Sequence, residues 1–148
     1  MSFVLHERLQ QDCLVLGGFS LSRLLLMNDS RFPWCILVPA RDDICELHQL
    51  EWSDQVQLLR ESNRLAGCLT RIYQPDKLNI GAIGNLVPQL HLHHVVRYRH
   101  DTAWPAPVWG VGRPVPYNPA ELEKHTGRLL ASLREAGSDV PVFNRLTA

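Results

Sequence analysis

His91 and His93 stand two residues apart in the stretch Gln89-Leu90-His91-Leu92-His93, which continues His94-Val95-Val96-Arg97. Polar and apolar side chains alternate here, so a β-strand over 89–99 places Gln89, His91 and His93 on one face and Leu90, Leu92 and Val96 on the other. Side chains two apart on a strand are roughly 7 Å from each other. At that separation one imidazole can attack a phosphorus while its neighbour holds a phosphate oxygen or a leaving group. A neutral imidazole, with an ordinary pKa of about 6.5, is a competent nucleophile near neutral pH. Gln89 can hydrogen-bond through its amide but cannot shuttle a proton. Arg97 shares the His91 face, where it either holds a distal phosphate or closes a surface salt bridge. His94 points the other way and reads as a core histidine. A zinc site on His91, His93 and His100 is the metal alternative, but no carboxylate or cysteine lies at ligand spacing nearby.

The elements around this strand are legible in outline. Residues 3–11 read as a short helix, Leu14-Val15-Leu16 as a strand ending at Gly17-Gly18, and Ser20–Met27 as a second strand. The run Leu24-Leu25-Leu26-Met27 is too continuous to alternate, which marks a strand covered on both faces. Asn28-Asp29-Ser30 ends it with turn-forming side chains. Trp34–Val38 is a third strand, closed by Pro39. A long helix starts at Ser53 or Asp54 and ends at Gln74-Pro75-Asp76. Its inner stripe is Val56, Leu59, Asn63 and Ala66, flanked by Leu58, Leu65, Leu69 and Ile72, with Glu61 on the solvated side. Lys77–Ile83 is the fourth strand, and residues 84–88 turn into the histidine strand. The arm 100–110 carries Trp104 and Trp109 between prolines and is extended. Asn118-Pro119-Ala120-Glu121 opens a final helix to about Glu135.

With Gly84-Asn85 a few residues upstream, Gln-φ-His-φ-His resembles the histidine-triad (HIT) superfamily of nucleotide hydrolases and transferases, whose usual signature is His-φ-His-φ-His-φ-φ. The likeness spans roughly Leu14 to Trp109, including the Leu24–Met27 run into Asn28-Asp29 and the Ile36–Pro39 strand. It implies an α+β fold: a bent antiparallel sheet of about five strands, one long helix packed on it and a C-terminal helix. It implies a single domain over 1–136 with a tail at 137–148, and a homodimer. It makes His91 the nucleophile toward the α-phosphate of a nucleotide, forming a nucleotidyl-histidine. His93 would then bind phosphate oxygens or the leaving group, and Gln89 stands where the first histidine usually is. Asn28 would contact ribose hydroxyls, and Gly84 and Asn85 would meet phosphate oxygens, with Asn79 a similar candidate. Trp104 and Trp109 are the candidates for stacking on a base, with apolar help from Leu5, Phe19 or Leu26; their alternative is to anchor the arm to its own domain or to a second subunit. No cofactor is implied, Mg²⁺ entering only with a polyphosphate substrate. The alternative function is a nucleotide-binding or sensing protein in which Gln89 marks weakened catalysis.

Composition sets outer bounds. The chain has 148 residues, 45% hydrophobic and 20% charged, with 15 basic and 15 acidic side chains. That size and balance suit one globular core. The zero formal net charge makes no case for binding nucleic acid nonspecifically. No apolar run is long enough to span a membrane. Cys13, Cys35, Cys45 and Cys68 form no paired motif, so the expectation is free thiols in a cytoplasmic protein.

Overall fold

The computed structural model describes residues 2–135 and 141–145. A short helix α1 (Glu7–Asp12) leads into β1 (Cys13–Gly18), β2 (Ser22–Met27) and β3 (Trp34–Pro39). After a 3₁₀ turn at Leu47–Gln49 come the long helix α2 (Trp52–Tyr73), β4 (Lys77–Gly81), β5 (Leu92–Arg97) and α3 (Pro119–Arg134). The five strands form one sheet in the order β1-β2-β3-β5-β4, every neighbouring pair antiparallel. This is the expected α+β architecture, with the histidine strand β5 between β3 and the edge strand β4.

Both faces of the sheet are covered, as the unbroken Leu24–Met27 run requires. Leu24, Leu26, Cys35, Leu37, Leu92 and Val96 face α2, whose Leu58, Leu65, Cys68 and Leu69 complete that core. Helix α3 adds Leu129, Leu130 and Leu133 behind α2. Alternate residues Leu25, Trp34, Ile36, Val38 and Val95 face the opposite way, against Leu9, Val87, Ala103 and Val108. The site lies on this second face.

Three local features depart from the sequence pattern. In α2 the buried stripe is Leu58, Glu61, Ser62, Leu65, Cys68 and Leu69, while Val56 and Leu59 are exposed. The helix is therefore rotated away from the expected stripe. Glu61 explains the rotation: its carboxylate accepts the backbone N–H of Leu21 and Ser22, at 3.1 and 2.9 Å, and terminates the β1–β2 hairpin. A carboxylate can sit fully buried when it is held this way. Second, β5 begins at Leu92 rather than Gln89. Leu90 N–H bonds to Ile44 O, and Gln89 O is taken by the His91 ring, so neither joins the ladder. Third, part of the expected tail is docked. Asn144 exchanges both backbone hydrogen bonds with Gly18, and Phe143 packs edge-on against Phe19. Gly17 permits this approach, since a Cβ there would lie 2.4 Å from Asn144 O. Residues 137–140 and 146–148 of that tail lie outside the described residues.

The helix ends follow their local chemistry. Asn118 caps α3 by accepting Glu121 N–H at 2.9 Å, with Pro119 beginning the first turn. Gln74 ends α2 in the left-handed conformation, its N–H bonded to Thr70 O.

Candidate active site

The junction of the pre-β5 segment with β5 presents His91 and His93 to a cavity of about 730 Å³. Its walls come from α1, the β2–β3 turn, the 83–87 turn and the arm after β5. Each wall is fastened by polar contacts. Asp29 is buried; its carboxylate pairs with Arg31 at 2.8 Å and accepts Val115 N–H at 3.3 Å. Arg31 reaches Val111 O at 2.6 Å, and Asn28 Oδ1 accepts Tyr117 N–H at 3.0 Å. These bonds hold the arm 111–117 against the β2 end, so two segments distant in sequence close one side of the cavity. Gly84 forms the opposite turn with φ +64°, a conformation that favours glycine.

His91 and His93 are both buried, with ring centroids 4.8 Å apart in an edge-to-face arrangement. His91 Nδ1 is 2.7 Å from Gln89 O. A carbonyl only accepts, so Nδ1 carries the proton and Nε2 keeps its lone pair. Burial holds the His91 pKa below its ordinary value; the Gln89 carbonyl acts against that shift, and His6 adds to it. His91 is thus an uncharged base at neutral pH. His93 lies against Trp34 and Trp109, with ring centroids at 5.7 and 5.3 Å, and Trp34 Nε1 is 3.0 Å from its Nδ1. Burial, then the neighbouring His91 and His94, lower the His93 pKa to about 3.

His94 faces the other core, where its Nδ1 bonds Leu92 O at 3.1 Å and its Nε2 bonds Ser62 Oγ at 2.7 Å. It is the core histidine expected from its position on the apolar side. His100, required by the zinc alternative, stacks on Tyr98 instead.

Of the residues singled out in sequence, Asn28, Gly84, Asn85, His91 and His93 border the cavity. Gln89, Asn79, Arg97 and Trp104 do not. Gln89 Oε1 accepts His6 N–H at 2.8 Å and its amide donates to Val4 O at 3.0 Å, so it ties down the N-terminal segment. It borders a smaller adjoining cavity of about 150 Å³. Its departure from the His91 face follows from the late start of β5. Arg97 is only 2% exposed. It makes a two-point pair with Asp101, at 2.8 and 3.0 Å, and reaches Asn79 Oδ1 at 2.7 Å. The rings of Phe32 and Trp104 flank its guanidinium. Asn79, Arg97 and Trp104 therefore form a structural cluster under the arm, and of the two arm tryptophans it is Trp109 that lines the cavity, together with Trp34 from β3. The apolar wall is also different from the expected one: Phe19 and Leu26 face α2, whereas Leu9, Met27 and Val108 line the cavity.

Several wall residues had no signal in the sequence. Trp34 read as the start of a buried strand, which it is, but its indole N–H is directed at a histidine 59 positions away. Arg31 carried no motif, and Asp29 looked like a turn former.

Residues 8–100 match the model of the HIT domain. The chain belongs to the HIT family. Similar solved structures agree over nearly the whole length. A histidine triad protein from Marinobacter aquaeolei is 44% identical, with TM-score 0.88, covering 93% of this chain and all (100%) of the other. One from Sinorhizobium meliloti is 43% identical, with TM-score 0.86 and coverages of 88% and 97%. One from Bradyrhizobium japonicum is 41% identical, with TM-score 0.87 and coverages of 89% and 98%. No curated protein matches the chain. HIT proteins have nucleotide-related functions, generally as hydrolases or transferases, although some do not catalyse.

Proposed function

We propose that this HIT protein hydrolyses a nucleotide at its α-phosphate through a nucleotidyl intermediate on His91. The observation that supports this most is the Gln89 carbonyl on His91 Nδ1, which leaves Nε2 as an unprotonated nucleophile at the cavity wall. Attack forms the bond from Nε2 to phosphorus as the bond to the leaving group breaks. Water then displaces the histidine and releases the nucleoside monophosphate. His93 stands beside the reacting centre, Gly84 and Asn85 border the phosphate region, and Asn28 lies where a ribose would be held. Leu9, Met27 and Val108 supply apolar surface for a base. Dinucleoside polyphosphates and nucleoside phosphoramidates both suit such a nucleophile, with Mg²⁺ accompanying only the former.

Withdrawal of Gln89 from the cavity favours one second reading, a nucleotide-binding protein that turns over slowly or not at all. Assay of both substrate types with wild type and His91→Ala, alongside nucleotide binding, separates the two. Hydrolysis by wild type, lost in His91→Ala with binding kept, supports the hydrolase. Binding without hydrolysis by wild type supports the sensor.

We also propose a homodimer. Trp52, Val56 and Leu59 on α2 and Ile80 on the edge strand β4 are exposed. Ser62, one turn beyond Leu59, touches His94, and Ile80 pairs with His94 in the sheet. An apolar helix face thus runs beside an unpaired strand edge, a combination that a second copy would cover. Four free cysteines, three of them buried, fit a reducing cytoplasm.

A further inference from the structure

Trp34 opens β3 and is paired across the sheet with Val95, so its ring lies beside that of His93. The 3.0 Å contact joins the indole Nε1 to His93 Nδ1. An indole N–H can only donate, so His93 Nδ1 must be bare, and a neutral ring then carries its proton on Nε2. His91 is held the opposite way by a carbonyl that can only accept. Two touching imidazoles are thus locked in opposite tautomers, one with a lone pair on Nε2 and the other with an N–H.

We propose that Trp34 is a positioning residue that fixes His93 as an uncharged Nε2–H donor, and that the site consequently favours leaving groups that depart as anions over amines. This rests on His91 being the nucleophile. A protonated His93 would set its Nδ1–H against the indole N–H at 3.0 Å, inside a buried pocket walled by Trp34 and Trp109. His93 therefore donates a hydrogen bond but is not a proton source. Gln89 has no proton to give and is turned toward residues 4 and 6. The other charged groups on the cavity wall are two ion pairs, Asp29 with Arg31 and Asp12 with Arg8. His94, on the same strand, points to the other core.

The reaction balances without an acid only for some substrates. As Nε2 of His91 bonds to phosphorus, the bond to the leaving oxygen breaks and its electron pair departs with a phosphate, polyphosphate or sulfate. The Nε2–H of His93 hydrogen-bonds the charge that develops. Water then attacks phosphorus, the P–N bond breaks, His91 recovers its lone pair and the water proton passes to solvent. An amine would have to gain a proton as its P–N bond breaks, and neither ring supplies one.

The test joins a tautomer measurement to a leaving-group comparison. Long-range ¹H–¹⁵N spectra of histidine-labelled protein at pH 7 should show His93 as the Nε2–H form in wild type and a mixed form in Trp34→Phe. His91 should stay Nδ1–H in both, and Trp109→Phe should leave both rings unchanged. Wild type should hydrolyse a diadenosine polyphosphate or adenosine 5′-phosphosulfate with higher kcat/KM than adenosine 5′-phosphoramidate. Trp34→Phe should lower kcat on the anionic leaving groups in proportion to the Nε2–H population lost, about two- to fivefold for a mixed ring, and narrow that preference. A wild-type Nδ1–H form of His93, a tautomer unmoved by Trp34→Phe, or a phosphoramidate turned over as fast as the polyphosphate overturns the proposal. Failure of the nucleophile assignment is separate: it appears as hydrolysis that survives His91→Ala, whatever the tautomers.

Discussion

His93 and His94 are neighbours in β5 that point to opposite sides of the sheet, and both rings are buried. Burial lowers their pKa values to about 3 and about 4, from about 6.5 in an unfolded chain. Both rings are neutral when folded and take up a proton on unfolding below pH 6.5, so acid pulls the equilibrium toward the unfolded chain. Stability is held above that pH and lost as the pH falls toward the folded values. Each depressed group contributes about 1.36 kcal/mol per pH unit inside this window. Between pH 7 and pH 5 that is about 2 kcal/mol for each ring and about 4 kcal/mol together. A domain of ordinary stability, about 5–15 kcal/mol, would lose a large fraction of its margin. Urea unfolding followed by tryptophan fluorescence at pH 7, 6 and 5 measures it: the midpoint should fall steadily at constant m. His94→Gln should make the slope shallower, with His93 and His91 still contributing to what remains. A midpoint that is flat or rises between pH 7 and pH 5 would mean that the buried rings are charged when folded.

The corrected roles of Arg97 and Gln89 give two further tests. Arg97→Met leaves the Asp101 carboxylate buried without its cation, and should cost about 3–5 kcal/mol in urea unfolding; below the unfolding range, KM for nucleotide should not change, whereas a phosphate-binding Arg97 would raise it. Gln89→Ala should speed hydrogen exchange in residues 4–9 while kcat changes by less than about 100-fold, the least that a lost general acid would cost. Because burial holds His91 below its ordinary pKa, the acid limb of the pH–rate profile should fall below pH 6.5; a limb above pH 7 would contradict a buried neutral nucleophile.

The fold was readable because its strands carry patterns that secondary structure alone explains. Leu24–Met27 announced a strand covered on both sides, and Asn118-Pro119 announced the start of α3. His91 and His93 were readable for the same reason, as polar residues at a two-residue spacing. What was hidden depends on contacts between segments far apart in the chain. Glu61 looks like a surface carboxylate until the Leu21 and Ser22 amides meet it. Gln89 and Arg97 fit the periodicity of an unbroken strand, but the strand starts late and a buried aspartate claims the arginine. Asp29 and Arg31 matter because residues 111 and 115 return to them, and Trp34 because β3 and β5 are neighbours.

The proposed hydrolysis runs through a covalent bond between His91 and a nucleotide, which intact-mass spectrometry of acid-free quenched single turnovers detects. Wild type should gain the mass of one nucleotidyl group (a nucleoside monophosphate less water) transiently, mapped to His91, and His91→Ala should show no such species. An equal adduct on His91→Ala, or rapid wild-type turnover in which no adduct forms at any quench time, would contradict it.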